Sequence, residues 1–165
     1  MQITQRLRGL AEVYTFMQDA ELLKIIRELI MSQKLASLST QDHGQPYINL
    51  MAFAATDDLK YLFFATSRAT RKYANLMADA RVALLIDNRT NQEVDFVNAV
   101  SLTALGKIWE LLGLEREQAL PIYLEKHPLL KDFVMSPSCS LLRLKVDKYI
   151  LVTRFQEIRE WHLAS

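Results

Sequence analysis

Three apolar runs separated by tight-turn signals leave this chain few folds to choose from. Residues 35–66 read "LASLSTQDHGQPYINLMAFAATDDLKYLFFAT". "LASLST" runs into the turn cluster "QDHGQP", where Gly44 can adopt positive φ and Pro46 restricts its neighbour. "YINLMAFAAT" is a return strand, "TDDL" the next turn, and "KYLFFAT" a third strand rich in aromatic residues. Connections this short join antiparallel neighbours, so the stretch is a meander.

The rest of the chain extends that pattern. "TRKYANLMADA" predicts a short helix with Tyr73, Leu76 and Met77 facing inward, and "RVALLIDN" a fourth strand apolar enough for burial on both faces. "NRTNQEVDF" is a polar connection, and "VNAVSLTALGKIWEL" a fifth strand in which Gly106 marks a bulge. "LEREQALPIYLEKHP" carries acids early, Lys126 and His127 late and Pro128 just beyond, the signals of a helix that Pro121 must kink or restart. "SLLRLKVDKYILVTRFQEIREW" alternates as one long strand or a hairpin. Ahead of the meander, Leu22, Ile25, Ile26, Leu29 and Ile30 fall at helical spacing, with Lys24, Arg27 and Glu28 largely opposite and Asp19 or a neighbour as a candidate cap. A less regular helix with Leu7, Leu10, Tyr14 and Met17 as its stripe precedes it. The 165 residues, half of them hydrophobic, suffice for one core. The expectation is one domain over 1–165: N-terminal helices within 1–33 and a closed antiparallel barrel over 35–156, mainly β with flanking helices.

Charge excludes several functions. The net charge of +1 gives no general attraction to nucleic acid or an anionic membrane. No apolar run approaches bilayer-spanning length, the N-terminus lacks a signal-peptide pattern, and the lone Cys139 cannot form an intrachain disulfide. These features predict a cytoplasmic protein. The three histidines, His43, His127 and His162, have no metal-ligand spacing and read as surface or capping residues. Glycine-rich phosphate loops, a nucleophile elbow and a carboxylate dyad are missing, so no catalytic residue and no metal site is nominated.

One local feature departs from this neutrality. "ATSRATRKYANL", residues 65–76, gathers Arg68, Arg71 and Lys72 among hydroxyls with no acid nearby in sequence. Thr70 is placed to cap the following helix, which puts Arg71 and Lys72 in its first turn, where the positive end of the dipole disfavours cations. A bound anion would reverse that penalty, and phosphate suits an Arg–Lys pair beside a helix N-terminus. Two or three charge-assisted hydrogen bonds of about 1.5–3 kcal/mol each supply much of the roughly 8 kcal/mol behind micromolar affinity. The plainer reading is a set of solvated charges at a turn.

The ordered succession resembles the pyridoxamine 5′-phosphate oxidase-like flavoproteins. A strand ending in Thr66 leads to T-x-x-x-T-R-K, an Asn-Leu pair and an Arg-Val strand; "SLTALGKIWEL", "EKHPLLKDFV" and "KYILVTRFQEI" are similar to later parts of that family. The resemblance covers roughly residues 35–156 and implies a six-stranded antiparallel split β-barrel that binds FMN at the interface of a homodimer. It implies that Thr66, Thr70, Arg71 and Lys72 hold the FMN phosphate. Asn49, Leu50 and Met51 would lie along the flavin ring, mainly through backbone groups, and Ser101 would contact a flavin, in the dimer the partner's. Between Pro46 and Leu59 the chain lacks the extra basic residue of the full-length oxidases, and "QEIREWHLAS" lacks their substrate-gripping ending. The implied activity is therefore oxidoreduction of an unidentified small molecule by hydride transfer at flavin N5, and the resemblance does not by itself carry over oxidation of pyridoxamine phosphate. The same fold also serves non-catalytic binding or sensing of flavin, haem or a deazaflavin.

Overall fold

The computed structural model describes residues 18–153 and 157–163. A helix over 18–32 (α1) precedes β1 (Leu35–Asp42), β2 (Gln45–Ala55) and β3 (Tyr61–Ser67). Helix α2 (Arg71–Ala78), β4 (Arg81–Asp87), the single turn α3 (Asp95–Asn98) and β5 (Ser101–Glu110) follow. Then come α4 (Gly113–Lys126), a 3₁₀ turn at Pro128–Leu130, α5 (Lys131–Met135), β6 (Cys139–Thr153) and β7 (Glu157–His162). Every strand pairing is antiparallel, in the order β3-β2-β1-β4-β5-β6-β7, and β3 also pairs with β6. That last pairing closes six strands into a barrel. The C-terminal stretch is thus a long strand and a hairpin at once: β6 gives residues 139–145 to β3 and 148–153 to β7 along one edge.

Local chemistry explains the closure. His43 and Gly44 form a two-residue loop between Asp42 and Gln45, both with positive φ (48° and 86°), as a twist-matched hairpin turn requires. At Leu105/Gly106 the β5–β6 register shifts, and a Cβ on Gly106 would stand 2.0 Å from the Lys145 carbonyl oxygen, so only glycine fits the bulge. Leu38, Phe53, Phe64, Leu84, Leu102, Leu144 and Tyr149 belong to the barrel core, into which α1 packs Leu22, Ile26, Leu29 and Ile30. A second cluster joins Ala54, Phe63 and Ala65 of β2 and β3 to Ala119 and Tyr123 of α4 and Val134 of α5.

Several expectations need correction. β4 alternates between buried positions and exposed or half-exposed ones, because only one of its faces meets the barrel core. In α2, Asn75 and Leu76 are buried while Met77 is exposed, since Asn75 turns inward to donate to Thr40 Oγ1 at 3.0 Å. Helix α4 continues through Pro121, and the chain breaks only at Pro128. Asp19 lies inside α1, which already includes residue 18. His127 is the C-cap of α4, as expected of a capping residue, but it is buried rather than on the surface, its Nε2 2.8 Å from the Phe53 carbonyl. Cys139 is buried, as expected of a small apolar residue at a strand start. The helix expected around Leu7 to Met17 lies outside the described residues. No described helix is long and apolar enough to cross a membrane.

Candidate functional site

The barrel is split on one side, and the split follows from unequal pairing of β2. Gln45–Ala52 pair with β1, and Phe53, Ala54 and Ala55 pair with β3, so the strand changes partner along its length. Along Gln45–Ala52 the edge away from β1 has no strand partner among the described residues, so alternate N–H and C=O groups face outward there. Where β3 parts from β2 it ends in Thr66 and Ser67, and the chain turns into α2.

That turn is built by hydroxyl groups. The Thr70 hydroxyl donates to the Ser67 carbonyl at 2.8 Å and accepts the Tyr73 N–H at 3.4 Å, capping α2. The hydroxyls of buried Thr66 and half-buried Thr70 lie 3.2 Å apart. No acidic residue occupies the first turn of α2, and Lys72 makes no ion pair with any described residue.

Thr66, Ser67, Thr70 and Lys72 form the polar end of a hollow of about 290 Å³. Leu50, Met51 and Ala52 supply its β2 wall, and Tyr123, Leu130 and Phe133 the opposing apolar side. Burial pushes the Tyr123 hydroxyl up to about 12, so it stays protonated. Hollows of about 390 and 410 Å³ flank α1, but both are walled by Thr153, next to the undescribed residues 154–156.

The predicted residues divide into groups. Thr66, Thr70, Lys72, Leu50 and Met51 meet in the one hollow. Arg71 stands outside it, more than half exposed, its guanidinium 4.9 Å from the Tyr47 ring and 3.9 Å from Asp42. Asn49 is half-buried beside Leu50, and its Oδ1 has no hydrogen-bond partner. Ser101 lines a different hollow with Asp87 and Val152 and does not meet the others within one chain. Arg68 corrects the expectation of uncompensated charge: its guanidinium pairs with Glu110, the Nε–Oε1 distance being 3.0 Å, and Nη1 donates to the Pro137 carbonyl at 2.8 Å. The acid that neutralises it is 42 positions away in sequence. Tyr123, Leu130 and Phe133 were not anticipated at the site. Their signal was the apolar spacing on either side of Pro128, which marks a helix turning back onto the barrel.

The site can therefore hold an anionic group at Thr66, Thr70 and Lys72 and an apolar, planar body along β2. A phosphorylated flavin fits these donors: hydroxyls, helix N–H groups and an ammonium for phosphate, and an unpaired strand edge for ring polar atoms.

A family model described as pyridoxamine 5′-phosphate oxidase matches residues 22–153. No curated protein matches the chain. Among solved structures, the chain is similar to a haem-binding protein from Mycobacterium smegmatis, at 16% identity and a TM-score of 0.73 over 81% of this chain and 55% of that one. This chain thus spans about half of that protein's length. General stress protein 26 from Bacillus anthracis is similar at 18% identity and a TM-score of 0.66, covering 86% of this chain and 98% of that one. An FAD-binding protein from Mesorhizobium loti aligns at 15% identity and a TM-score of 0.62 over 76% and 89% of the two chains. At such identities these likenesses establish the fold alone. The family match over most of the sequence, on a closed antiparallel barrel, shows that this chain belongs to the pyridoxamine 5′-phosphate oxidase-like family.

Proposed function

We propose that the protein binds FMN in the split of the barrel and acts as an oxidoreductase on a small molecule. The observation that carries this reading is the unpaired Lys72 beside the Thr66 and Thr70 hydroxyls, at a helix N-terminus opening onto an apolar hollow. Thr66, Thr70 and Lys72 hold the phosphate, while Arg71 contributes from the rim. The ring lies along Asn49, Leu50 and Met51, against unpaired backbone groups of β2. When bound, flavin supplies hydride transfer at its N5 atom. The protein's part is to hold the ring, exclude water with Leu130 and Phe133, and leave one ring face open to substrate.

Exposed Ile48 and Leu50, 66% and 64% accessible beside the hollow, are the surface on which a second copy closes the site as a homodimer. Ser101 then serves the partner's flavin. A cytoplasmic location goes with this reading.

Haem is the competing ligand, since relatives of this fold bind it. It calls for an axial ligand, and among the described residues no histidine or cysteine lines the hollow, leaving Met51 and Tyr123, whose buried hydroxyl stays protonated, as the ligand types there. His43 sits in a hairpin loop, His127 bonds to the Phe53 carbonyl, and His162 lies beside Glu160. Cofactor analysis of the purified protein, followed by titration with FMN, FAD and haem, tests the proposal. FMN binding, with anaerobic reduction by NAD(P)H or another donor, is expected. Preferential haem binding, or no response to FMN, overturns it.

A further inference from the structure

One carboxylate, far from the loop in sequence, brackets the residues assigned to phosphate. Glu110 is the last residue of β5, and its side chain is 15% exposed. Its Oε1 accepts from Arg68, and its Oε2 accepts from the Tyr73 hydroxyl at 2.6 Å. Arg68 and Tyr73 stand on either side of Thr70, Arg71 and Lys72, and the Tyr73 backbone N–H is the group that Thr70 caps. Arg68 is fastened further by its N–H to the Ser138 carbonyl at 3.0 Å and by its side chain to Pro137.

We propose that Glu110 is a positioning residue for phosphate recognition, clamping the loop before Thr70 and the first turn of α2 into one rigid cradle. This rests on the flavin reading of the same site. Two consequences follow from the geometry. The clamp fixes the Thr70 hydroxyl and the free N–H groups of α2 before a ligand arrives, which lowers the ordering cost of binding. It also cancels the charge of Arg68, leaving Lys72 as the cation that faces the hollow. Burial pushes the Glu110 carboxyl up, but the hydrogen bonds from Arg68 and Tyr73 outweigh it, so the group stays ionised at neutral pH.

The test compares affinity for FMN with affinity for riboflavin, which has the same ring and no phosphate. Glu110→Ala is expected to weaken FMN about tenfold or more, the effect of losing a charge-assisted bond, while riboflavin changes by less than about twofold. Glu110→Gln keeps the shape and recovers part of the loss. Equal weakening of both ligands, or unchanged FMN affinity in a folded variant, overturns the proposal. If Glu110→Ala does not fold, Tyr73→Phe removes only one bond and is read the same way. If wild type binds neither ligand, the flavin reading has failed, and amide hydrogen exchange in the ligand-free protein decides the clamp. Faster exchange at residues 70–73 in Glu110→Gln, with α4 unchanged, supports it. Unaltered exchange overturns it.

Discussion

The two halves of β2 are continuous in sequence and opposite in physical character. Phe53, Ala54 and Ala55 pair with β3, the Phe53 N–H also donates to the Lys34 carbonyl at 3.4 Å, and Phe53 is fully buried. Its ring lies 4.0 Å from the Lys126 ammonium, and its carbonyl meets buried His127. Gln45–Leu50 pair with β1 instead, and there Ile48 and Leu50 are exposed. An open edge carrying apolar side chains invites association, and proteins ordinarily cover or blunt such edges. Burial is concentrated in one half of the strand, while the open edge and a lysine without an ion pair among the described residues lie beside the other.

Substitutions should separate the halves, beginning with the largest effect. Phe53→Ala removes a large side chain from the closed half and should cost about 3–5 kcal/mol in denaturant unfolding. A loss below about 1 kcal/mol would show that the closed half is not the stable one. Lys72→Met should weaken FMN roughly 10–100-fold, the worth of one charge-assisted bond of about 1.5–3 kcal/mol. Its melting temperature should hardly move, and a large drop would place Lys72 among the structural groups.

A smaller effect comes from His127. Burial lowers its pKa below the ordinary 6.5, helped by the charges of Lys126 and Lys34 and opposed by the bond to Phe53. The unfolded chain therefore takes up this proton first as pH falls. Its contribution to stability is complete above the ordinary imidazole value and is lost below it, toward the folded-state pKa. His127→Gln should flatten that slope, whereas an unchanged profile would assign the pH dependence to other groups. The smallest effect on folding is expected from Leu50→Asp, within about 0.5 kcal/mol for an exposed site. Sedimentation should nevertheless show the dimer lost. A variant that remains dimeric would move the interface off the open half.

Much of this was legible in the sequence, for identifiable reasons. Turn chemistry at His43–Gly44 and the alternation of the first three strands act over a few residues, so they announce the meander directly. Thr70 as a cap, with Arg71 and Lys72 behind it, is equally local. The partners of these groups were not legible. Arg68 looked like Lys72, yet a glutamate 42 positions downstream neutralises one and leaves the other. His127 read as a surface or capping residue; it does cap α4, but its burial was not legible because its ring meets the Phe53 carbonyl, 74 positions away.

The sequence by itself determined the strands, the hairpin turns, the cap of α2 and the family, because each depends on short-range geometry or on the order of motifs along the chain. Only the tertiary structure decided where the barrel opens and which cation remains free to meet a ligand. Those outcomes depend on which strands meet after closure, and Coulomb and packing forces act through space without regard to distance along the chain.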